Sequence, residues 1–240
     1  MEQGVVTLRR SVVVALCLLM GSLMTGCGND SSAMGQPSLT AVSQDQAEQL
    51  MAGCVTDGLR LLRDLADRLA PLARVRDLEH LEATADRLDC TMQMRPGGFD
   101  LVCDPLGLVL TLEYQLDGAL SMDPGSSDEL RMIVSDLDPE RNVSGELWIY
   151  RDVERGLVLN GGLRRWSESG CEAVLEIEEL VGQELGDTTG LIFTEGGVDL
   201  TILTRDAVVL ASGSAALVGR DAYVVLNFDG FSLLDEILLD

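Results

Sequence analysis

The apolar positions of this chain change their spacing twice. From Ser11 to Met24 they run almost without a break. After a small, polar stretch at 28–42 they recur every three or four residues, at Leu50, Cys54, Leu61, Leu65, Leu69, Leu72, Leu78, Leu81, Ala85 and Leu88. That spacing puts them on one side of a helix. Ser43, with Gln46 three residues on, has the form of a capping box, so the helix is expected to begin there. Asp57, Arg60, Arg63, Asp64, Asp67, Arg68, Arg74 and Arg76 fall on the remaining faces and read as a solvated, ion-paired surface. Gly58 weakens the helix locally, and Pro71 predicts a kink or break near Ala70.

From residue 99 the period becomes two. Leu108, Leu110, Leu112, Tyr114 and Leu116 alternate with Val109, Thr111, Glu113 and Gln115. Cys171, Ala173, Leu175 and Ile177 alternate with Glu172, Val174, Glu176 and Glu178, and Val198, Leu200 and Ile202 repeat the pattern. One apolar and one polar side predicts antiparallel strands exposed on one face. Turns are expected at Asp117-Gly118, Asp123-Pro124-Gly125, Asp138-Pro139, Gly161-Gly162, Gly196-Gly197 and Asp229-Gly230. The segment from Ser144 to Gly161 resembles the one from Ser212 to Asn227. Each reads as a strand, an Arg-Asp turn (Arg151-Asp152, Arg220-Asp221) and a returning strand, as if the sheet had grown by duplicating hairpins. The expected architecture is α+β. An N-terminal amphipathic helical segment, 43–91, packs on a curved antiparallel β-sheet of seven to ten strands, 99–234, arranged as a meander or half-barrel. Periplasmic lipid carriers share this outline, in shape alone.

The apolar run at the start has another meaning. It follows Arg9 and Arg10 and is shorter than the roughly 20 apolar residues of a membrane-spanning helix, so it reads as a signal-peptide core. It leads into Leu23-Met24-Thr25-Gly26-Cys27, which resembles the lipobox of bacterial lipoproteins, with Met24 where Leu is commoner. The resemblance implies removal of residues 1–26 as a signal peptide and acylation of Cys27. Residues 27–42 are then a flexible tether and 43–240 a single domain. The implied partner is membrane lipid, held through the acyl chains on Cys27. Gly28, where Asp would mark retention at the inner membrane, implies the outer membrane, facing the periplasm or the surface.

Charge narrows the partners further. The chain carries 40 acidic and 17 basic side chains, all of the latter arginine, for a formal net charge of −23. Such a surface repels nucleic acid and anionic headgroups, so no nucleic-acid partner is expected. Cys17 leaves with the signal peptide and Cys27 is acylated, leaving Cys54, Cys90, Cys103 and Cys171. An even number in an exported chain predicts two disulfides. Cys90–Cys103 with Cys54–Cys171 would tie a helix end to the first strand and the helix to the sheet. Cys54–Cys90 is the alternative, because a helical hairpin turning at Pro71 would bring those two together. No CxxC pattern is present, so no metal is expected.

The sequence holds no GxSxG, no phosphate-binding loop and no GxGxxG after a strand. His80, the only histidine, stands among Arg76, Asp77, Glu79 and Glu82 and reads as a solvated helix residue. Asp123 to Glu129 is the nearest approach to a calcium loop but lacks the alternating register of one. Asn142-Val143-Ser144 matches the glycosylation triplet, which means little in a bacterium. The expectation is therefore a non-enzyme without cofactor, with a binding or envelope-structural role and an unknown protein or small-molecule ligand. Two alternatives are a lipid or lipoprotein carrier with an apolar cavity and a carboxylate-based hydrolase.

Overall fold

Ser43 ends the extended approach of the chain and starts the first helix. Its hydroxyl accepts the Gln46 backbone N–H at 3.3 Å, and the Gln46 side chain accepts the Ser43 N–H at 3.0 Å, closing the expected capping box. The computed structural model describes residues 40–72, 78–96, 98–104, 107–114, 130–136, 143–152, 154–168, 170–184 and 191–239. Within them α1 (Gln44–Leu50) continues through a π-helical turn (Met51–Val55) into α2 (Thr56–Leu72), and α3 spans Leu78–Arg87. At the π turn the Thr56 N–H and hydroxyl both donate to the Met51 carbonyl. The wider turn shifts the helical phase, so that Met51, Cys54 and Val55 face inward together with Leu59, Leu62, Leu65 and Ala66. Pro71 lies inside α2, which runs unbroken through Ala70 to Leu72, so the expected break near Ala70 is not found among the described residues; residues 73–77 lie outside them.

Among the described residues the sheet has eleven strands, each paired antiparallel with the next in chain order. They are β1 (Cys90–Arg95), β2 (Gly98–Cys103), β3 (Leu108–Tyr114), β4 (Leu130–Asp136), β5 (Val143–Asp152), β6 (Gly156–Trp166), β7 (Cys171–Glu184), β8 (Leu191–Thr204), β9 (Val209–Val218), β10 (Asp221–Phe228) and β11 (Phe231–Leu238). The protein is α+β but dominated by its sheet, with more strands than expected. The sheet starts at Cys90, not residue 99, and runs on to Leu238. β1 is not among the expected strands, although Cys90, Met92 and Met94 alternate with Thr91, Gln93 and Arg95; of its side chains only Cys90 is buried.

Two of the expected turns are not turns. Gly161-Gly162 lies within β6 and Gly196-Gly197 within β8. Both mark irregular pairing with β7: the register shifts between Leu159 and Gly161 on one side of it and between Glu178 and Val181 on the other. Gly161 and Gly196 take φ of 122° and 93°, and Glu179 between them takes 48°. These are bulges, which explains glycine inside long strands. Asp229-Gly230 is a turn as expected, joining β10 to β11. The two look-alike segments are indeed hairpins, β5–β6 and β9–β10. Their turns differ: Asp152 ends β5 before its turn, whereas Asp221 begins β10 after its turn. Asp152 Oδ1 accepts the backbone N–H groups of Arg155 and Glu154 at 2.9 and 2.8 Å, which holds its carboxyl below the usual range.

Alternate residues of the strands face the helices. Leu101, Leu110, Met132, Leu147, Leu159, Leu175, Leu200, Ala215 and Val224 join the buried helix residues in one apolar core. α2 packs on β6, β7 and β8, and α3 packs on β1. Gly58 sets the closeness of this packing. A Cβ there would stand 3.0 Å from Leu175 Cδ1 and 3.4 Å from the Ala173 Cβ. Gly58→Ala should change stability by less than about 1 kcal/mol in urea unfolding, because gained helix propensity offsets the crowding. Gly58→Val should cost about 2–3 kcal/mol by forcing α2 off the sheet. Equal effects would show that the spacing there is slack.

Candidate functional site

The richest polar constellation lies where the helix meets the sheet. Arg63 is buried on α2, with its guanidinium carbon 5.2 Å from the centre of the Phe193 ring on β8. Its Nε donates to Asp67 Oδ2 at 3.1 Å and its Nη1 to the Gly219 carbonyl at 3.4 Å. Asp67 Oδ1 accepts the Leu191 N–H at 2.8 Å where β8 begins. Gly219, between β9 and β10, donates its N–H to the Phe193 carbonyl at 2.9 Å. One ion pair, four residues apart on the helix, thus fastens α2 to the start of β8 and to the β9–β10 connection.

Two further arginines act in the same way. Arg165 on β6 donates to the Asp57 carbonyl at 3.1 Å and lies 3.7 Å from the Asp57 carboxylate. Arg68 donates to the Leu88 carbonyl at 2.9 Å, tying α2 to the end of the α3 segment. The expectation of a wholly solvated charged face is therefore corrected. Arg60 and Asp64 are exposed, Arg63 is buried, and Asp57, Asp67 and Arg68 are half-buried. From sequence, Arg63 and Asp67 fall on an ion-paired solvated face without being paired to each other, and nothing there signals the carbonyls and ring that Arg63 reaches.

Cys54 and Cys171 meet in this interface. The expected Cys54–Cys171 disulfide is not formed in the structure: both are buried reduced thiols, one in the π turn and one at the start of β7. A hydrogen bond with Cys171 and then burial push the Cys54 thiol up, and the charges of Cys171, Asp57 and Glu172 add to the effect. A thiol so disposed is a poor nucleophile. Cys90 and Cys103 are joined by a disulfide. They are register partners in β1 and β2, so the bond links two strands and not, as expected, a helix end to the first strand.

The outward face of the sheet carries cross-strand ion pairs. Arg131 on β4 pairs with Glu146 on β5, and Arg164 on β6 with Glu172 on β7 at 3.4 Å. Arg155 reaches Glu179 at 3.1 Å and Glu195 at 3.4 Å, spanning the bulge between β7 and β8, and its pairing with Glu179 raises the arginine further above its usual range. Glu176 and Asp199 are register partners with no such compensation of sign between them. Among the described residues no group of three or more His, Cys, Asp and Glu is placed to hold a metal ion.

His80 lies on α3 half-buried, which corrects its expected full solvation. Cys27, the Asp123 to Glu129 segment and Asn142 lie outside the described residues. No described helix is long and apolar enough to cross a membrane. No protein-family model matches the chain, and no curated protein or solved structure matches it significantly. The functional reading therefore rests on its own residues.

Proposed function

We propose that this chain is a bacterial lipoprotein, held to the cell envelope through acylated Cys27, whose domain has a non-enzymatic binding or envelope-structural role. The lipobox-like Leu23–Cys27 and the tether that follows support the anchor. The observation that carries the non-enzymatic role is the use made of the charges at the helix–sheet interface. Arg63, Asp67, Arg165 and Asp57 all hold the helix to the sheet, so this polar site is committed to the fold. The net charge of −23 makes an acidic surface the part open to a partner, and Gly28 favours the outer membrane.

Cys27→Ser tests the anchor. In a bacterial host, the variant should lose palmitate incorporation and move from the membrane to the soluble fraction. Equal labelling of variant and wild type would overturn the lipoprotein reading.

A second reading, a carrier of lipid or lipoprotein, is favoured by one observation. Leucine, isoleucine, valine and methionine line the inner side of the strands from β3 to β10, and a helix with a π turn lies against it. The bulges beside β7 would bend such a sheet into the half-barrel this role calls for. Mass spectrometry of natively purified protein should then find a stoichiometric acyl lipid, and its absence would remove this reading.

A further inference from the structure

We infer that Cys54 and Cys171 are a second oxidation site, joined as a disulfide that locks the helix to the middle strands of the sheet when the chain folds under oxidising conditions. The packing brings them into one interface. The π turn that holds Cys54 packs against β7, the strand that Cys171 begins. Gly58, one helical turn after Cys54, rests on Ala173 and Leu175 of the same strand. Both residues are buried, at 1% and 2% exposure. The effect of Cys171 in pushing the Cys54 thiol up supports the same juxtaposition.

The chemistry is an exchange with a disulfide donor, a small oxidised thiol or a protein disulfide. One protein thiolate attacks the donor disulfide and expels one donor thiolate, forming a mixed disulfide. The second protein thiolate then attacks the protein sulfur of that mixed disulfide and expels the other donor half. Two protein thiols and one donor disulfide become one protein disulfide and two donor thiols, and the two protons leave with the donor. Burial bars the donor from the docked helix, and the raised thiol leaves little thiolate to start the exchange. The bond therefore forms before α2 seats on the sheet or during its transient opening. The inference does not depend on the proposed anchor.

The experiment uses the full chain, unfolded and reduced, then refolded in a mixture of oxidised and reduced glutathione. Non-reducing peptide mapping should recover the Cys54 peptide crosslinked to the Cys171 peptide. In a second arm, the chain is refolded reduced before oxidised glutathione is added, and the same crosslink should appear at least tenfold more slowly. A third measurement compares Cys54→Ala with wild type. In reductant the two should melt within a few degrees of each other. After oxidative refolding the variant should melt about 10 °C lower, the effect of losing a long-loop disulfide in a domain of this size. Cys90–Cys103 is present in both chains and cancels. Recovery of Cys54 and Cys171 as alkylated thiols, or bonded to other cysteines, would overturn the inference. So would an equal difference in melting temperature under the two conditions.

Discussion

Changing Asp67 to alanine is expected to destabilise the domain by about 3–5 kcal/mol, and more than changing Arg63, the residue that makes more contacts. The reason is an asymmetry of exposure. The Arg63 side chain is 5% exposed and the Asp67 side chain 35%. Removing Asp67 leaves a guanidinium in the core with the Gly219 carbonyl and the Phe193 ring as its recorded partners, and it strips the Leu191 N–H of its acceptor. Removing Arg63 leaves a carboxylate that water already reaches and that still accepts from Leu191, so Arg63→Ala should cost about 2–3 kcal/mol, part of it lost packing. Arg63→Met, which keeps the apolar stem under Phe193, should cost about 1 kcal/mol. Urea unfolding of the three variants gives the ranking. A larger loss for Arg63→Ala than for Asp67→Ala would show that the cation's contacts, not its desolvation, dominate this junction.

That junction also marks how far the sequence can be read. The spacing of Cys54, Leu65 and Leu72 was enough to place a helix, because its buried side faces one sheet and its period is clean. The position of Arg63 was not legible. An arginine four residues before an aspartate looks the same on a wet helix face and on a dry one, and its other contact, Gly219, lies 156 residues away. Strand alternation revealed β3, β7 and β8, where the inward side chains are buried; β1 stayed hidden although Cys90, Met92 and Met94 alternate with Thr91, Gln93 and Arg95, because a stretch so short lies directly after the helical stripe. The short Cys90–Cys103 spacing pointed to the bond that forms, though not to the strands that carry it. Gly161-Gly162 and Gly196-Gly197 were misread for a physical reason. A pair of glycines signals backbone that other residues cannot adopt, and a bulge within a long strand needs this as much as a hairpin turn does.

Gly161→Ala should be among the most damaging single substitutions in the sheet, costing more than about 4 kcal/mol. Two effects add at this position. Its φ of 122° is a conformation that residues with a Cβ rarely adopt, with a strain of about 1–3 kcal/mol. In addition, a Cβ there would stand 2.1 Å from the Glu146 carbonyl oxygen and 3.0 Å from Leu147 Cα. Those are backbone atoms of β5, so no rotamer change relieves the overlap. The strands must move apart, although Leu147 and Gly161 are register partners in the middle of the β5–β6 pairing. Gly230 separates the two effects. It also has a positive φ, 86°, but nothing lies within 4 Å of the place a Cβ would take in the β10–β11 turn. Gly230→Ala therefore pays the conformational strain alone, about 1–2 kcal/mol. Unfolding free energies from urea titration should differ between the two variants by at least 2 kcal/mol, which is roughly a thirtyfold change in the folding equilibrium. Similar losses would mean that β5 and β6 yield easily at the bulge, and that the glycine is there for its φ and not for the close approach of the strands.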